Sequence, residues 1–230
     1  MSPRSRRDRS HAGFGIIFDF DGTLAHMSID FDAMRRAINA LFARHHVPPE
    51  SLKRRFILER IDEVFDTIHK NDPSLAQKVR KEAFSLIETM ELAAAARSHL
   101  LPGVYPRLLR LKKRGIRLAI ATRNCEKALK SVIGKASIFF DVILTRENSL
   151  AYKPEKGALE PILERFSLPS DHVIMIGDHP MDILTARGVS IVPIGVLTGT
   201  GTRQELAEAG ALRVFKHVNQ AIDIFLRSLR

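Results

Sequence analysis

Two carboxylates separated by one residue follow a short apolar run near the N-terminus. Asp19 and Asp21 come directly after Gly15–Phe18, a run that predicts a buried strand, and Gly22 then allows a sharp turn. Asp-Gly is a common turn sequence, so both acids could be turn residues only. Two carboxylates at one strand end, however, repel each other unless a cation or a shared proton relieves them. The pair therefore suggests metal-assisted acid–base or nucleophilic chemistry.

Three later segments place further polar side chains after strand-like apolar runs. The runs are 116–121, 141–144 and 172–176, and the polar residues after them are Thr122 with Arg123, Lys153, and Asp178 with Asp182. Ligands of open α/β sheets bind outside the carboxyl ends of the strands, so we expect these side chains to meet the first two acids. A hydroxyl, a lysine charge and carboxylates that can hold a hard metal together suit a phosphoryl group.

Each of these residues also has an ordinary structural interpretation. Thr122 could be a helix N-cap, Gly177-Asp178 could be a turn, and Lys153 before a proline could be a surface lysine. Only the set, in this order and at these strand ends, favours a catalytic site.

The elements that carry the polar residues alternate between strand and helix from residue 101 onward. Strand patterns at 116–121, 141–144, 172–177 and 190–194 are separated or followed by helical patterns at 104–114, 126–133, 157–166, 181–187, 202–209 and 218–229. This alternation predicts a Rossmann-like α/β fold, a parallel sheet with helices on both faces. We assign residues 14–24 and 101–230 to this core domain.

Residues 25–100 show helical periodicity and no strand pattern. Three or four helices are predicted there, with Asp30 and Ser51 as candidate N-caps of the first two and Pro73 in the first turn of the third. The insert begins just after Asp19 and Asp21. We therefore expect an all-helical cap domain that acts as a lid or a substrate selector.

Composition limits the remaining possibilities. The chain has 230 residues, a formal charge of +10 and one cysteine, Cys125, so we expect a reducing, cytoplasmic location. No apolar run is long enough to span a membrane. Residues 1–13 carry four arginines and no apolar face, which predicts a disordered basic tail.

Together these motifs resemble the haloacid dehalogenase superfamily. The matching residues are Asp19-Phe20-Asp21-Gly22-Thr23-Leu24, Thr122, Lys153, and Gly177-Asp178 with Asp182. The resemblance runs from about Gly15 to the C-terminus, and the helical insert looks like the small cap that this family places after its first motif. Leu101-Pro102-Gly103-Val104 and Gly195-Val196-Leu197-Thr198-Gly199 are similar to the phosphoglycolate phosphatase branch.

The resemblance implies a role for each matched residue. Asp19 would be the nucleophile that forms an aspartyl-phosphate, and Asp21 would protonate the leaving oxygen and then activate water. Mg²⁺ would be held by the Asp19 side chain, the Asp21 backbone carbonyl and Asp178. Thr122 and Lys153 would bind the phosphoryl oxygens.

Three further positions complete the expected site. By the same resemblance, Asp182 would orient Lys153 or a metal-bound water. Arg123 stands where the family commonly has Asn, and it would either contribute to substrate binding or point to solvent. His179 stands where small polar residues are usual, and we interpret it as a loop side chain.

We therefore predict a Mg²⁺-dependent phosphatase that acts on a small phosphomonoester, with 2-phosphoglycolate as the first candidate. The dehalogenases lack an acid at the Asp21 position because a halide needs no proton, so Asp21 argues for phosphoester chemistry. A phosphoglucomutase-like phosphotransferase and a nucleotide phosphatase or pyrophosphatase stay open as alternatives.

A nucleic-acid-binding protein on a silent version of the fold is the alternative from a different class. The charge of +10 and the arginine-rich tail motivate it, but every expected site residue is present. We expect a small phosphorylated metabolite as the partner, no membrane or nucleic-acid partner, and a monomer or homodimer.

Overall fold

The computed structural model describes residues 13–26 and 28–229. The predicted basic tail lies outside the described residues, apart from Gly13. The described chain forms two compact units. One unit contains the residues up to His26 and from His99 onward, and the other lies within Met27–Ser98. We predicted a slightly longer insert, 25–100, and the difference lies in two short strands described below.

The described residues of the unit within 27–98 form three α-helices and one short 3-10 turn, Pro49–Ser51, where the periodicity predicts three or four helices. The α-helices are α1 (Phe31–Arg44), α2 (Ile57–His69) and α3 (Pro73–Ala95). The carboxylate of Asp30 caps α1 by accepting the N–H of Ala33. Ser51, by contrast, does not cap α2, and its hydroxyl donates to the carbonyl of Pro48. The 3-10 turn ends at Ser51, and α2 begins only at Ile57. Between them the carboxylate of Glu63 accepts the N–H groups of residues 53 and 54.

A six-stranded parallel sheet forms the centre of the other unit. In chain order the strands are β1 (Gly15–Phe18), β2 (Ala25–His26), β3 (His99–Leu100), β4 (Arg117–Ala121), β5 (Val142–Leu144), β6 (Val173–Gly177), β7 (Val192–Val196) and β8 (Arg213–Phe215). The sheet order is β5-β4-β1-β6-β7-β8, with every pairing parallel. Strands β2 and β3 pair separately as a two-stranded antiparallel ribbon. The predicted α/β fold is confirmed.

The register of the sheet brings three strand ends to one level. Phe18, the last residue of β1, is paired with Ile120 of β4 on one side and with Ile176 of β6 on the other. The chain therefore leaves β1, β4 and β6 at the same edge of the sheet. Asp19 continues the pairing, since its N–H donates to the carbonyl of Ile176 at 2.9 Å.

Helices cover the sheet and hold its central strand away from solvent. They are α4 (Val104–Lys113), α5 (Glu126–Ile133), α6 (Glu160–Phe166), α7 (Pro180–Gly188), α8 (Arg203–Glu208) and α9 (Val218–Ser228). Phe166 of α6 packs with Ile17 and Met175 in one apolar cluster, and all three are buried. Each such side chain stabilises the fold by about 1.5–3 kcal/mol relative to exposure. The strand that precedes Asp19 is thus packed into the core.

Two short features of the structure are missing from our sequence prediction. Strand β8 has three residues, and β2 and β3 have two each. Such lengths are too short to show the alternation that identifies a strand. Strand β7 was placed two residues too early, because Ser190 lies in the left-handed region (φ 61°) and turns the chain before the strand. Within the described residues, no helix is long and apolar enough to cross a membrane.

Candidate active site

The turn after β1 presents the two acids that open the site. The backbone reverses within a few residues, since the N–H of Gly22 donates to the carbonyl of Ala25 at 2.8 Å. Gly22 has a φ of +82°, and a side chain there would meet Gly199 Cα at 2.7 Å. Only glycine combines that angle with that approach. Asp19 is buried and Asp21 is partly exposed at this edge of the sheet.

Lys153 joins two carboxylates that are far apart in the sequence. Its Nζ donates to Asp19 Oδ1 and to Asp182 Oδ1, each at 2.6 Å. All three side chains are buried, so both contacts are charge-assisted hydrogen bonds shielded from water. The second oxygen of Asp182 accepts the backbone N–H of His179 at 3.1 Å. Asp182 is therefore fully engaged in holding the lysine and the start of α7.

Asp178 is held by a glycine-rich loop that follows β7. Asp178 Oδ2 accepts the N–H of Thr200 at 2.9 Å, and its Oδ1 accepts the hydroxyl of Thr23 at 3.2 Å. A side chain on Gly199 would overlap the Asp178 carboxylate. The loop also reaches the first turn, because the Thr198 hydroxyl donates to the carbonyl of Gly22 at 2.6 Å.

Asp21 is held by the segment after β4. The Thr122 hydroxyl lies 3.1 Å from Asp21 Oδ2, and Asn124 Nδ2 donates to Asp21 Oδ1 at 2.9 Å. Asp19 and Asp21 thus have different neighbours, an ammonium group for the first and neutral polar groups for the second. Thr122 was expected to face the phosphoryl group, and its hydroxyl lies at this edge next to Asp21.

Arg123 and His179 both have partners within the protein. Arg123 donates from Nη1 to the carbonyl of Lys153 at 2.6 Å, and its guanidinium lies 5.6 Å from the centre of the Tyr152 ring. His179 is the N-cap of α7, where Nδ1 accepts the N–H of Met181. The role of Arg123 in substrate binding stays a prediction.

Burial and like charges disturb the titration of the acids. Burial, together with the charges of Asp182, Asp178 and Asp21, raises the pKa of Asp19 well above its usual range, although Lys153 opposes this shift. Burial and the charge of Asp182 raise the pKa of Asp178 to about 6. Burial also raises the pKa of Asp21, against the hydrogen bonds from Asn124 and Thr122.

Lys153 responds in the opposite direction. Burial alone would lower the pKa of its ammonium group, but the carboxylates of Asp182 and Asp19 raise it. The lysine therefore stays charged, yet one cation does not neutralise the surrounding acids. A further cation would relieve the repulsion that raises the carboxyl pKa values.

The acids form a cluster able to hold a divalent metal ion. One carboxylate oxygen from each of Asp19, Asp178 and Asp182 lies within 4.8 Å of the others. Asp182 binds the Lys153 ammonium group with one oxygen and the His179 N–H with the other, whereas the hydrogen bonds to Asp178 come from the neutral donors Thr200 N–H and Thr23 hydroxyl. We therefore expect Asp19 and Asp178 to bind the ion directly. Hard oxygen donors of this kind fit Mg²⁺. The expected third ligand, the Asp21 backbone carbonyl, stays a prediction.

Four residues of this arrangement were missed or left without a role in the sequence analysis. They are Asn124, Thr198, Gly199 and Thr200. The alternation of glycine and threonine after a strand was the one available hint of a tight loop there. For Asn124 no such hint exists, because which side chain faces a neighbouring loop depends on the turn geometry.

Comparison with known proteins places these observations in a family. The family model described as haloacid dehalogenase-like hydrolase matches residues 16–196. A phosphoglycolate phosphatase of Rhodospirillum rubrum is 29% identical over 222 residues, covering 87% of this chain and 86% of the relative. A phosphoglycolate phosphatase of Vibrio cholerae is 26% identical, covering 93% of this chain and 97% of the relative.

Solved structures agree on the fold. A predicted phosphatase from Clostridium acetobutylicum superposes with a TM-score of 0.65 at 20% identity, covering 94% of this chain and 99% of that one. A predicted phosphoglycolate phosphatase from Haemophilus somnus gives a TM-score of 0.64 at 19% identity, with the same coverage. From the matched family model, the chain belongs to the haloacid dehalogenase-like hydrolases.

Proposed function

We propose that this hydrolase is a Mg²⁺-dependent phosphatase that cleaves a small phosphomonoester through an aspartyl-phosphate on Asp19. The observation that carries the proposal is the different environment of the two acids after β1. Asp19 accepts a hydrogen bond from the Lys153 ammonium group, whereas Asp21 accepts hydrogen bonds from the neutral groups of Thr122 and Asn124. Displacement of an alkoxide from phosphorus requires a carboxylate nucleophile, here next to an ammonium group, and a separate proton donor.

The enzyme class follows from the family. The chain is a phosphoric monoester hydrolase, since it matches the family model over most of its length and its curated relatives include phosphoglycolate phosphatases. Phosphoglycolate itself is our first candidate substrate because of those relatives. The presence of Asp21 supports phosphoester chemistry, in which the leaving group needs a proton.

Each side chain has a defined role in the proposed reaction. An oxygen of Asp19 attacks phosphorus, and the ester bond breaks as Asp21 gives its proton to the leaving oxygen. Asp21 then takes a proton from the water that hydrolyses the aspartyl-phosphate. Lys153, held by Asp182, neutralises charge on the phosphoryl oxygens.

The metal ion would be held by Asp19 and Asp178. When bound, Mg²⁺ supplies positive charge that offsets the charge of the phosphoryl group and of the surrounding acids. The Thr23 hydroxyl and the Thr200 N–H keep the Asp178 carboxylate in place for this purpose. We further propose that the protein is a monomer or homodimer, that it works in the cytoplasm, and that its substrate is a small phosphorylated metabolite.

A metabolite screen tests this function. Purified protein is incubated with Mg²⁺ and a panel of phosphorylated metabolites that includes 2-phosphoglycolate, and free phosphate is measured. We expect release that disappears in Asp19→Asn and persists in the matched control Asp171→Asn, because Asp171 is an exposed acid before β6, at the opposite end of that strand from Asp178. Accumulation of an isomeric sugar phosphate without free phosphate would favour a phosphotransferase. Activity in Asp19→Asn would remove the nucleophile assignment.

A further inference from the structure

Asn124 is a buried polar residue at the edge of the site to which the proposed reaction assigns no task. It lies two residues after Thr122, and only 3% of its surface is exposed. Its side chain has a partner on each side, Asp21 Oδ1 at 2.9 Å and the backbone N–H of Cys125 at 2.7 Å. Both partners are close enough for well-formed hydrogen bonds.

The contact with Cys125 determines which way the Asn124 amide points. A backbone N–H can only donate, so the atom that faces it must be the amide oxygen. The amide nitrogen is then the atom that faces Asp21. The orientation of this amide therefore follows from the hydrogen-bond network and not from an arbitrary choice between nitrogen and oxygen.

The Asn124 amide nitrogen distinguishes the two oxygens of Asp21. An amide N–H can only donate, so Asp21 Oδ1 must act as an acceptor whether or not the carboxyl group is protonated. The proton of the neutral acid is then carried by Oδ2. That oxygen lies 3.1 Å from the Thr122 hydroxyl, and the hydroxyl oxygen also accepts the backbone N–H of Asn124 at 3.1 Å.

We propose that Asn124 is a positioning residue that holds the Asp21 carboxyl group so that Oδ2 delivers the proton to the leaving oxygen. The inference rests on the proposed phosphatase function. In that step Asp19 forms a bond to phosphorus, and the ester oxygen leaves with the electron pair of the broken bond. The proton of Asp21 moves to that oxygen. An alkoxide leaving group depends on this transfer, whereas 4-nitrophenolate leaves without a proton.

The dependence on the leaving group provides the test. We compare kcat/KM for 4-nitrophenyl phosphate with kcat/KM for the alkyl phosphate that the metabolite screen identifies as the best substrate. This parameter reports loss of transition-state stabilisation relative to the free enzyme. In Asn124→Leu we expect the alkyl ester to lose about 100-fold, within the range of general acid catalysis. The 4-nitrophenyl ester should change much less.

Two further variants separate positioning from a general loss of structure. Asn148→Leu is a control, because the Asn148 amide also bonds on both sides, to Thr145 through its oxygen and to the Ile143 carbonyl through its nitrogen, without contacting Asp21. Any loss in this control should be equal for the two esters. Asn124→Ala repeats the comparison if the leucine variant does not fold.

A double-mutant cycle adds a second criterion. In an Asp21→Asn background, Asn124→Leu should have no further effect on the alkyl ester, because residues that act as a unit are not additive. An equal loss for both esters, or a rise in KM for both, overturns the positioning role. If the wild-type protein releases no phosphate from either ester, the proposed function fails before this inference is reached.

Discussion

Replacing Gly199 by Ala is the sharpest test of how the structure prepares the metal site. The Cβ atom of an alanine there would overlap Asp178 Oδ2 and Cγ and would lie 2.9 Å from Asp178 Cβ. The loop and the carboxylate cannot both keep their positions. Overpacking of this kind costs about 1–3 kcal/mol of stability.

The same displacement should weaken metal binding. The N–H group that donates to Asp178 Oδ2 belongs to Thr200, the residue next to the substitution. Loss of such supporting hydrogen bonds lowers metal affinity by about 10- to 100-fold. That loss of affinity corresponds to about 1.4–2.8 kcal/mol of Mg²⁺ binding free energy. Titration calorimetry with Mg²⁺ measures it directly, without any need for substrate.

Gly115→Ala is the matched control for this experiment. Gly115 has a φ of +73° and open space around it, so alanine there should cost about 1 kcal/mol of stability and leave Mg²⁺ affinity unchanged. If Gly199→Ala folds and its Mg²⁺ affinity stays within about twofold of the wild-type value, the reasoning about the loop is wrong, because loss of a supporting bond should have a larger effect.

Two further predictions concern the charges around Asp19. Lys153→Met leaves two buried acids without their partner, so we expect lost activity and a free energy of unfolding about 3 kcal/mol lower in urea titration. Lys130→Met is the control: Lys130 belongs to an exposed ion pair, and its loss should lower the free energy of unfolding by less than about 1 kcal/mol. Similar losses of stability in both variants would contradict this reasoning. For Asp178, whose folded-state pKa is about 6, Mg²⁺ affinity should fall as pH drops below that value, because the metal needs the carboxylate. Without metal, stability depends on pH in the opposite direction. The Asp178 carboxyl group binds its proton more tightly in the folded than in the unfolded state, so the stability that this proton contributes is lost as pH rises through about 4 to 6. The difference in free energy of unfolding between wild type and Asp178→Asn should therefore change across that window in urea titrations.

Most of the fold could be predicted because its periodic patterns are long and consistent. The runs at β1, β4 and β6 are apolar apart from the exposed Arg117 that begins β4, as expected of strands covered on both faces. Helix starts with a capping side chain, such as Asp30, were also found. The start of α2 was not predicted, because the carboxylate of Glu63 binds the N–H groups of residues 53 and 54 and the helix begins only at Ile57.

The order of polar residues along the chain was enough to identify the family and the edge of the sheet that carries the chemistry. Parallel strands share one direction, so residues that follow them must emerge at the same edge. Asp19, Thr122 and Asp178 follow adjacent strands in that way. This much needs no knowledge of side-chain geometry.

The pairing of those side chains was decided only by the tertiary structure. Lys153 follows β5, two strands away from β1, and the path of a loop over a sheet edge depends on packing that spacing does not encode. The loop brings its ammonium group between Asp19 and Asp182. In the same way, the turn after β4 directs Asn124 towards Asp21 and Arg123 towards the backbone of Lys153. The sequence determined which groups meet at the strand ends, and the turns determined which of them touch.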